Sequence, residues 1–368
     1  MSKQREKSSK ICIKLIYIIL ISILFNQNLF SLNFEKNLDS IEIKSIEFKE
    51  LVNFIDKKSN TTGLVVIHKG ETILEYGNVR KVSYIASCRK SVLSILFGKY
   101  VDNGTIDLNT TIGELGINEK DGLLTKEKTA TINDIITSRS GVHHVASNGG
   151  YDKANFLERG SVEPGEYFVY NNWDFNVAGH ILELYTQKSI YKELEEQLAK
   201  PLGFQDWNIK NQKKSGNKSK SQYKAYHMYL STRDMSKIGQ LMLNNGKWNG
   251  QQLISKEWID KVTTTVTPFE TMVERYGPAD PNGIHMSYGY MWWILDNYRE
   301  KKEYEGAYSA IGYGGQYITV FPKIDLVIAH KTKLNLFTYL GIKKDGDKHY
   351  WDIVHRIVEV IKGLSKEV

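Results

Sequence analysis

The sequence predicts an α/β (α+β) protein: one sheet, covered by helices, is built from both ends of the chain, and a mainly helical domain is inserted between them. Three observations carry this. Near the start, "TGLVVIHKGETILEYGN" is two apolar runs joined at Lys69-Gly70, the pattern of a hairpin, and two strands cannot stand alone. Far downstream, "YGYMWWIL" from Tyr288, "GGQYITVFP" from Gly314 and "LVIAHKT" from Leu326 read as three partner strands, with Pro322 and Asp325 bracketing a turn. Between them helical patterns dominate: "TINDIITSRS", "NVAGHILELYT", "YKELEEQLAKPLG", "TRDMSKIGQLMLNNG" and "SKEWIDKVTTT".

In chain order, the first 31 residues come apart from the rest. A basic start is followed by the apolar run "LIYIILISILF" from Leu15 to Phe25 and then by polar "NQN", the layout of an export signal. The run is short for a membrane span of ~20 residues. Near "NLFS", Leu29 stands where a small residue is preferred, so the segment serves either as a signal or as a retained membrane anchor. The expectation is an exported protein, periplasmic or extracellular. Residues 32–368 then form the main domain, with a sheet part over 32–90 and 287–368 and a helical part over 91–286.

A formal charge of +7 belongs largely to that leader, which holds five Lys or Arg (Lys3, Arg5, Lys7, Lys10, Lys14) against Glu6; removing them leaves 7 − 5 + 1 = +3. So mild a charge gives no basis for nucleic acid as a partner. Cys12 lies inside the leader, which leaves Cys88 alone in the remaining chain and excludes an internal disulfide. Hydrophobic content of 41% and charged content of 25% suit a chain that folds on its core.

"SIEFKELVNFIDKKS" opens the domain with Ile46, Leu51 and Ile55 at helical spacing. The closing "YWDIVHRIVEVIKGL" carries an apolar stripe through Trp351, Val354, Val358 and Ile361, suited to covering a sheet face. "NIKNQKKSGNKSKSQ", from Asn208 to Gln222, is Lys-rich and nearly free of apolar residues, and reads as a mobile, solvated surface loop.

The chemistry concentrates in "SYIASCRKSVLSILFGKY". A helix beginning at Ser87 places Ser87 and Lys90 at i and i+3 on one face of its first turn, within reach of each other. A serine hydroxyl is a weak nucleophile and needs a nearby base. The helix start adds free N–H groups and a positive dipole end, and these together with burial push Lys90 toward the neutral form a base requires. The plain alternative is that Ser87 only caps the helix. The GxSxG serine signature is missing, with Ile85 and Arg89 at the flanking positions.

A second element, "EPGEYFVYNNWDFNVAGHILELYT", contains the triplet Tyr170-Asn171-Asn172 just ahead of a helix expected near Asp174. A phenol beside an amine can shuttle a proton, and Asn172 can bond the lysine or a substrate amide; otherwise Tyr170 is a core aromatic and Asn172 an N-cap. In the third, "SAIGYGGQYITVFP", Gly312, Gly314 and Gly315 at a strand start let another backbone or a ligand come close. One strand N–H there could pair with that of Ser87 as an oxyanion hole; the alternative is a glycine bulge on an edge strand.

SxxK, then YxN about 80 residues later, then a glycine-rich strand is an order similar to that of the serine β-lactamase and penicillin-binding-protein superfamily. "ATINDIITSRSGV", "AKPLGFQDW", "YLSTRDMSKIGQLMLNNGKWNGQQLI" and "SYGYMWW" resemble its branch of class C β-lactamases, related esterases and 6-aminohexanoate-dimer hydrolase, from about Thr61 to Lys331. The resemblance implies an antiparallel sheet flanked by helices, joined to an all-helical domain with the active site between them. It implies Ser87 as acylated nucleophile, Lys90 as its activating partner, Tyr170 as general acid/base and Asn172 as a polar contact. Gly312-Tyr313-Gly314-Gly315-Gln316 lies where β-lactamases carry KTG or HTG, which makes the Tyr313 N–H the second oxyanion donor. No cation stands at the KTG lysine position; losing that anchor for a carboxylate costs on the order of 1.5–3 kcal/mol of binding.

The expected activity is therefore hydrolysis of an ester or small amide through an acyl-enzyme, without cofactor. The rival readings are a D-alanyl-D-alanine peptidase or β-lactamase, and a non-catalytic binding domain of the same fold. His143, His144, His227 and His285 show no metal-ligand spacing, so no metal is expected; His143 and His144 read as surface residues of a loop bordering the cleft. Trp292 and Trp293 should point to opposite faces of one strand, and Cys88 should be a buried packing residue.

Overall fold

A computed structural model describes residues 46–148, 153, 155–276, 286–295, 302–333 and 346–364. The leader 1–31, with Cys12, and His285 lie outside the described residues. The chain divides into two compact units, 1–53 and 54–368. Of the first only residues 46–53, the opening of helix Ile46–Lys58, are described; the second carries everything below.

Its centre is a seven-stranded sheet in the order Glu71–Gly77, Thr61–His68, Leu326–Thr332, Gln316–Phe321, Tyr308–Gly312, Trp293–Ile294, Ser287–Tyr288. Every neighbouring pair is antiparallel. Both ends of the chain thus build one sheet, and His68 pairs with Leu326 at the join.

Strands 316–321 and 326–332 are buried at every position, which explains why they read as unbroken apolar runs rather than alternating ones: both faces are covered. Alternation sorts them. Tyr317, Thr319 and His330 meet helix Gly346–Leu364, where the Tyr317 and Tyr350 rings stack at 3.7 Å and 4°. Ile318 and Val327 face helix Thr232–Leu243 on the other side. Gly239 lets that helix approach: a Cβ there would lie 2.4 Å from Val327 Cγ1 and 3.0 Å from Ile318 Cγ2. This helix comes from the middle of the chain yet packs on the sheet.

Helix Cys88–Asp102 is the other central element. Residues 88–98 are all buried, as a helix apolar all round must be. Its two buried serines hold neighbours in place: Ser91 Oγ donates to Met291 O (2.6 Å), Ser94 Oγ accepts from Trp292 Nε1 (3.1 Å), and Ser94 O accepts from Trp258 Nε1 (2.9 Å).

Two expectations need correction. "YGYMWWIL" is not one strand but two short ones, Ser287–Tyr288 and Trp293–Ile294, joined by a tight turn. Met291 sits at φ +65° in that turn, and a Cβ on Gly289 would meet Thr264 O at 2.6 Å. Residues 208–222, expected to be mobile, are largely exposed but tied down. Lys213–Ser215 pairs with Ala225–His227, the Gln212 side chain bonds Tyr229 through both backbone groups, and Ser221 Oγ donates to the buried Glu119 carboxylate.

Two predictions follow from this packing. Gly239→Ala should lower stability by ~1–3 kcal/mol, because overpacking against the sheet outweighs the better helix propensity of alanine; the midpoint of urea unfolding reads it. His330 is fully buried between Thr61 Oγ1 (2.8 Å) and Gly315 O (2.9 Å), and burial pushes its imidazole down to about 4, with the Gly315 carbonyl opposing. Between pH ~6.5 and 4 the unfolded chain takes up a proton that the folded one refuses, so stability falls as pH drops through that window, by up to ~3 kcal/mol from this residue. His330→Gln should flatten the loss of stability between pH 7 and 4.5; an unchanged slope would contradict the assignment.

Candidate active site

The turn that delivers Ser87 is set by backbone. Ser83–Tyr84 pairs with Tyr229–Leu230, and Ile85 N donates to Met228 O at 3.1 Å. Ala86 then adopts φ +49°, a left-handed conformation that costs a non-glycine residue on the order of 1 kcal/mol. The reversal ends the strand and starts helix Cys88–Asp102 one residue after Ser87. Ser87 occupies the N-cap position with φ −76° and ψ −9°, yet its side chain makes no capping bond. The hydroxyl is thus not spent on capping the helix.

Its partner is the lysine. Lys90, 1% exposed, places Nζ 3.1 Å from Ser87 Oγ and 2.8 Å from Tyr170 OH. The same nitrogen lies over the Tyr170 ring (4.0 Å to the centroid) and the Phe175 ring (4.3 Å). Ser87 itself is half-buried and reachable.

Tyr170 is held by the segment leading into helix Asn172–Thr186. That helix starts two residues earlier than expected, and the cap is Asn171 rather than Asn172: Asn171 Oδ1 accepts from Trp173 N at 3.0 Å. Asn171 Nδ2 donates to Val142 O and His144 O, and Ser138 O accepts from Val169 N. The phenol is therefore fixed by a residue adjacent to it in sequence. Around its ring stand Phe175 (5.0 Å), Trp293 (5.6 Å) and Tyr288 (5.9 Å), and Tyr276 OH accepts from its backbone N–H at 3.1 Å.

The glycine-rich stretch reaches the same place. Gly312 ends strand Tyr308–Gly312, while Tyr313, Gly314 (φ +76°) and Gly315 (φ +95°) form the turn into the next strand. It is not an edge bulge, because both flanking strands lie inside the sheet. A Cβ on Gly312 would sit 2.5 Å from Ile85 O and 3.2 Å from Cys88 Sγ, so glycine here permits the hairpin to press on the Ser87 turn. Thr332 Oγ1 donates to Gly314 O across the turn.

Of the residues singled out by sequence, Ser87, Lys90 and Tyr170 thus form one hydrogen-bonded row, with Gly312 beside it. Tyr313 is on the hairpin tip with a 39% exposed side chain. Asn172 is the half-buried first residue of its helix. Sequence reasoning missed Ala86, Phe175, Tyr276 and the cap role of Asn171. Phe175 carried a signal, being in the quoted stretch; Tyr276, more than 100 positions from Tyr170, carried none.

Other expectations resolve locally. His143 and His144 are buried, not surface residues: His143 Nδ1 accepts from Leu157 N, and His144 Nε2 lies 3.1 Å from Asp121. Trp292 is wholly buried while Trp293 faces Tyr170. Cys88 is fully buried against Ala310 O and Gln316 O, and burial pushes its thiol up. Lys331 is the cation from the neighbouring strand, but its Nζ is taken up by Ser83 O and Leu230 O, and burial brings it down to about 7. Among the described residues no three His, Cys, Asp or Glu gather as a metal site, and no helix is long and apolar enough to cross a membrane.

A hydroxyl, an amine and a phenol in a row beside a glycine hairpin, on an antiparallel sheet flanked by helices, define the class of β-lactamase/transpeptidase-like hydrolases. The family model described as Beta-lactamase matches residues 49–335, and the chain belongs to that family. The chain is 31% identical over 121 residues to the 6-aminohexanoate-dimer hydrolase of Paenarthrobacter ureafaciens, which is 33% of this chain and 26% of that one. A mutant simvastatin synthase from Aspergillus terreus superposes with a TM-score of 0.62 at 15% identity, covering 88% of this chain and 99% of the other. A family VIII carboxylesterase does so with a TM-score of 0.55 at 14% identity, covering 83% and 98%. These two likenesses show the fold.

Gly312→Ala should push the hairpin off the Ile85 carbonyl and destabilise the protein by ~1–3 kcal/mol. Thermal unfolding checks this, and a melting temperature equal to the parent's would show that the two backbones have room to part.

Proposed function

We propose that the protein is a serine hydrolase that cleaves esters or small amides through an acyl-enzyme. The observation that carries this reading is the position of Lys90 Nζ, within hydrogen-bond distance of both Ser87 Oγ and Tyr170 OH. Ser87 Oγ attacks the substrate carbonyl as its proton passes to Lys90. Tyr170 then relays a proton to the leaving alcohol or amine, so the C–O or C–N bond breaks and the acyl group stays on Ser87. Water enters by the reverse route, gives up a proton to the same pair and releases the acid. The N–H groups of Ser87 and Tyr313 hold the oxyanion, and Asn172 contacts the bound substrate.

The class of substrate rests on two supports. The stretch around Gly312 carries no cation where penicillin-recognising relatives have one, and Lys331, the lysine of the adjoining strand, is taken up by backbone carbonyls. The similar proteins include a carboxylesterase and a hydrolase of an amide dimer. The half-buried rings of Tyr170 and Trp293, in contact beside Ser87, suit an apolar acyl or leaving group. We further read the leader 1–31 as an export signal or anchor, which cell fractionation of the full chain tests.

Intact-mass spectrometry after incubation with p-nitrophenyl esters, short amides and a penicillin should reveal an acyl adduct on the parent and none on Ser87→Ala. Tyr170→Phe should lower kcat by ~10²–10⁴-fold, with Lys90→Met at least as damaging. An adduct that persists on Ser87→Ala removes Ser87 from the reaction.

A further inference from the structure

Between Ser87 and Lys90 stands a charge that the proposed reaction does not use. Arg89 is 2% exposed, and its Nε and Nη1 have no hydrogen-bond partner. No carboxylate pairs with it among the described residues. A guanidinium does not shed its proton in a protein, and an uncompensated ion away from water is among the costliest things a fold can hold.

The side chains near it are neutral. Its Cζ lies 4.8 Å from the centre of the Tyr226 ring, whose face is weak compensation beside a formal anion. Tyr226 is wholly buried, and its hydroxyl likewise has no partner. Burial pushes that phenol up, so it stays a neutral donor. His227, next along the strand, is brought down to about 4, first by burial and then by Arg89, so it stays a neutral imidazole. A buried positive charge over the Tyr226 ring and the unpartnered hydroxyl of that same residue can both be answered by one acceptor that carries negative charge.

We propose that a small monovalent inorganic anion of the halide class binds beside Arg89 and Tyr226, behind the turn that presents Ser87. The packing favours a bare ion over an organic acid: a Cβ on Gly179 would already lie 2.7 Å from the Tyr226 ring, and the first eleven residues of the Arg89 helix are buried. Tyr226 also walls a cavity of about 370 Å³ that Lys214 and Lys224 line; Lys214 is paired with Glu183, which leaves Lys224 to favour anions there. Water alone satisfies the N–H groups but leaves the charge uncompensated, and the two occupants respond differently to salt.

The test uses the full chain at fixed ionic strength, with sodium chloride or bromide compared with sodium gluconate. The melting temperature should be higher in halide by roughly 3–6 °C. Arg89→Met should abolish the difference, whereas Ser87→Ala should keep it, which separates this site from the catalytic proposal. In crystals grown in bromide, an anomalous peak should appear at hydrogen-bond distance from the Arg89 guanidinium. Equal melting in the two salts, a shift that survives Arg89→Met, or the lack of a bromide peak at Arg89 overturns the inference. Should Arg89→Met fail to fold, the salt comparison and the bromide map on the parent decide alone.

Discussion

The constraint on which the rest of the structure turns is the seat of the Lys90 amine, between two hydroxyls and over the faces of two rings. Taking an amine out of water forfeits its hydrogen bonds unless the protein replaces them, and here the Ser87 and Tyr170 hydroxyls do so, with the Tyr170 and Phe175 ring faces beside the nitrogen. The geometry is demanding. The strained reversal at Ala86 aims the serine, the buried first three turns of the helix fix the lysine stem, and the Asn171 cap sets the phenol. Each is local, but none would hold without the neighbours that press on it.

The sheet supplies that pressure. With helices on both faces, its central strands cannot tilt without disturbing two layers at once. Glycine appears where layers must come close: Gly239 against Val327, Gly98 against the Trp258 ring, Gly312 against the Ile85 carbonyl. The first brings a helix onto the sheet, the second brings two helices together, and the third brings a hairpin to the Ser87 turn.

Much of this was legible in the sequence, and the limits follow from physics. Leu326–Thr332 and the hairpin at Lys69-Gly70 were readable because apolar runs between turn residues have few other fates. SxxK and YxN were readable as pairs because helix periodicity and a cap-like asparagine place them. The left-handed Ala86 was not, since nothing in alanine asks for that conformation; the tertiary fold imposes it. The turn at Met291 was hidden for the same reason inside an apolar stretch. His143 and His144 looked like surface residues because a polar loop gives no sign that Phe156 and Trp173 will cover it. The lysine-rich stretch before Tyr223 was misjudged because its anchors, Gln212 and Ser221, find partners that local composition does not reveal. Arg89 was noted only as the residue that breaks a glycine motif; its isolation is a property of what folds around it.

The meeting of the glycine hairpin with the Ser87 turn has a bearing on biogenesis. Cys88, beside the reactive hydroxyl, contacts Gln316 across 228 positions of chain, and the phenol comes from 80 positions away. With such high contact order, no short fragment of the chain brings these groups together. The row of Ser87, Lys90 and Tyr170 is complete only when the C-terminal strands pair with the N-terminal ones.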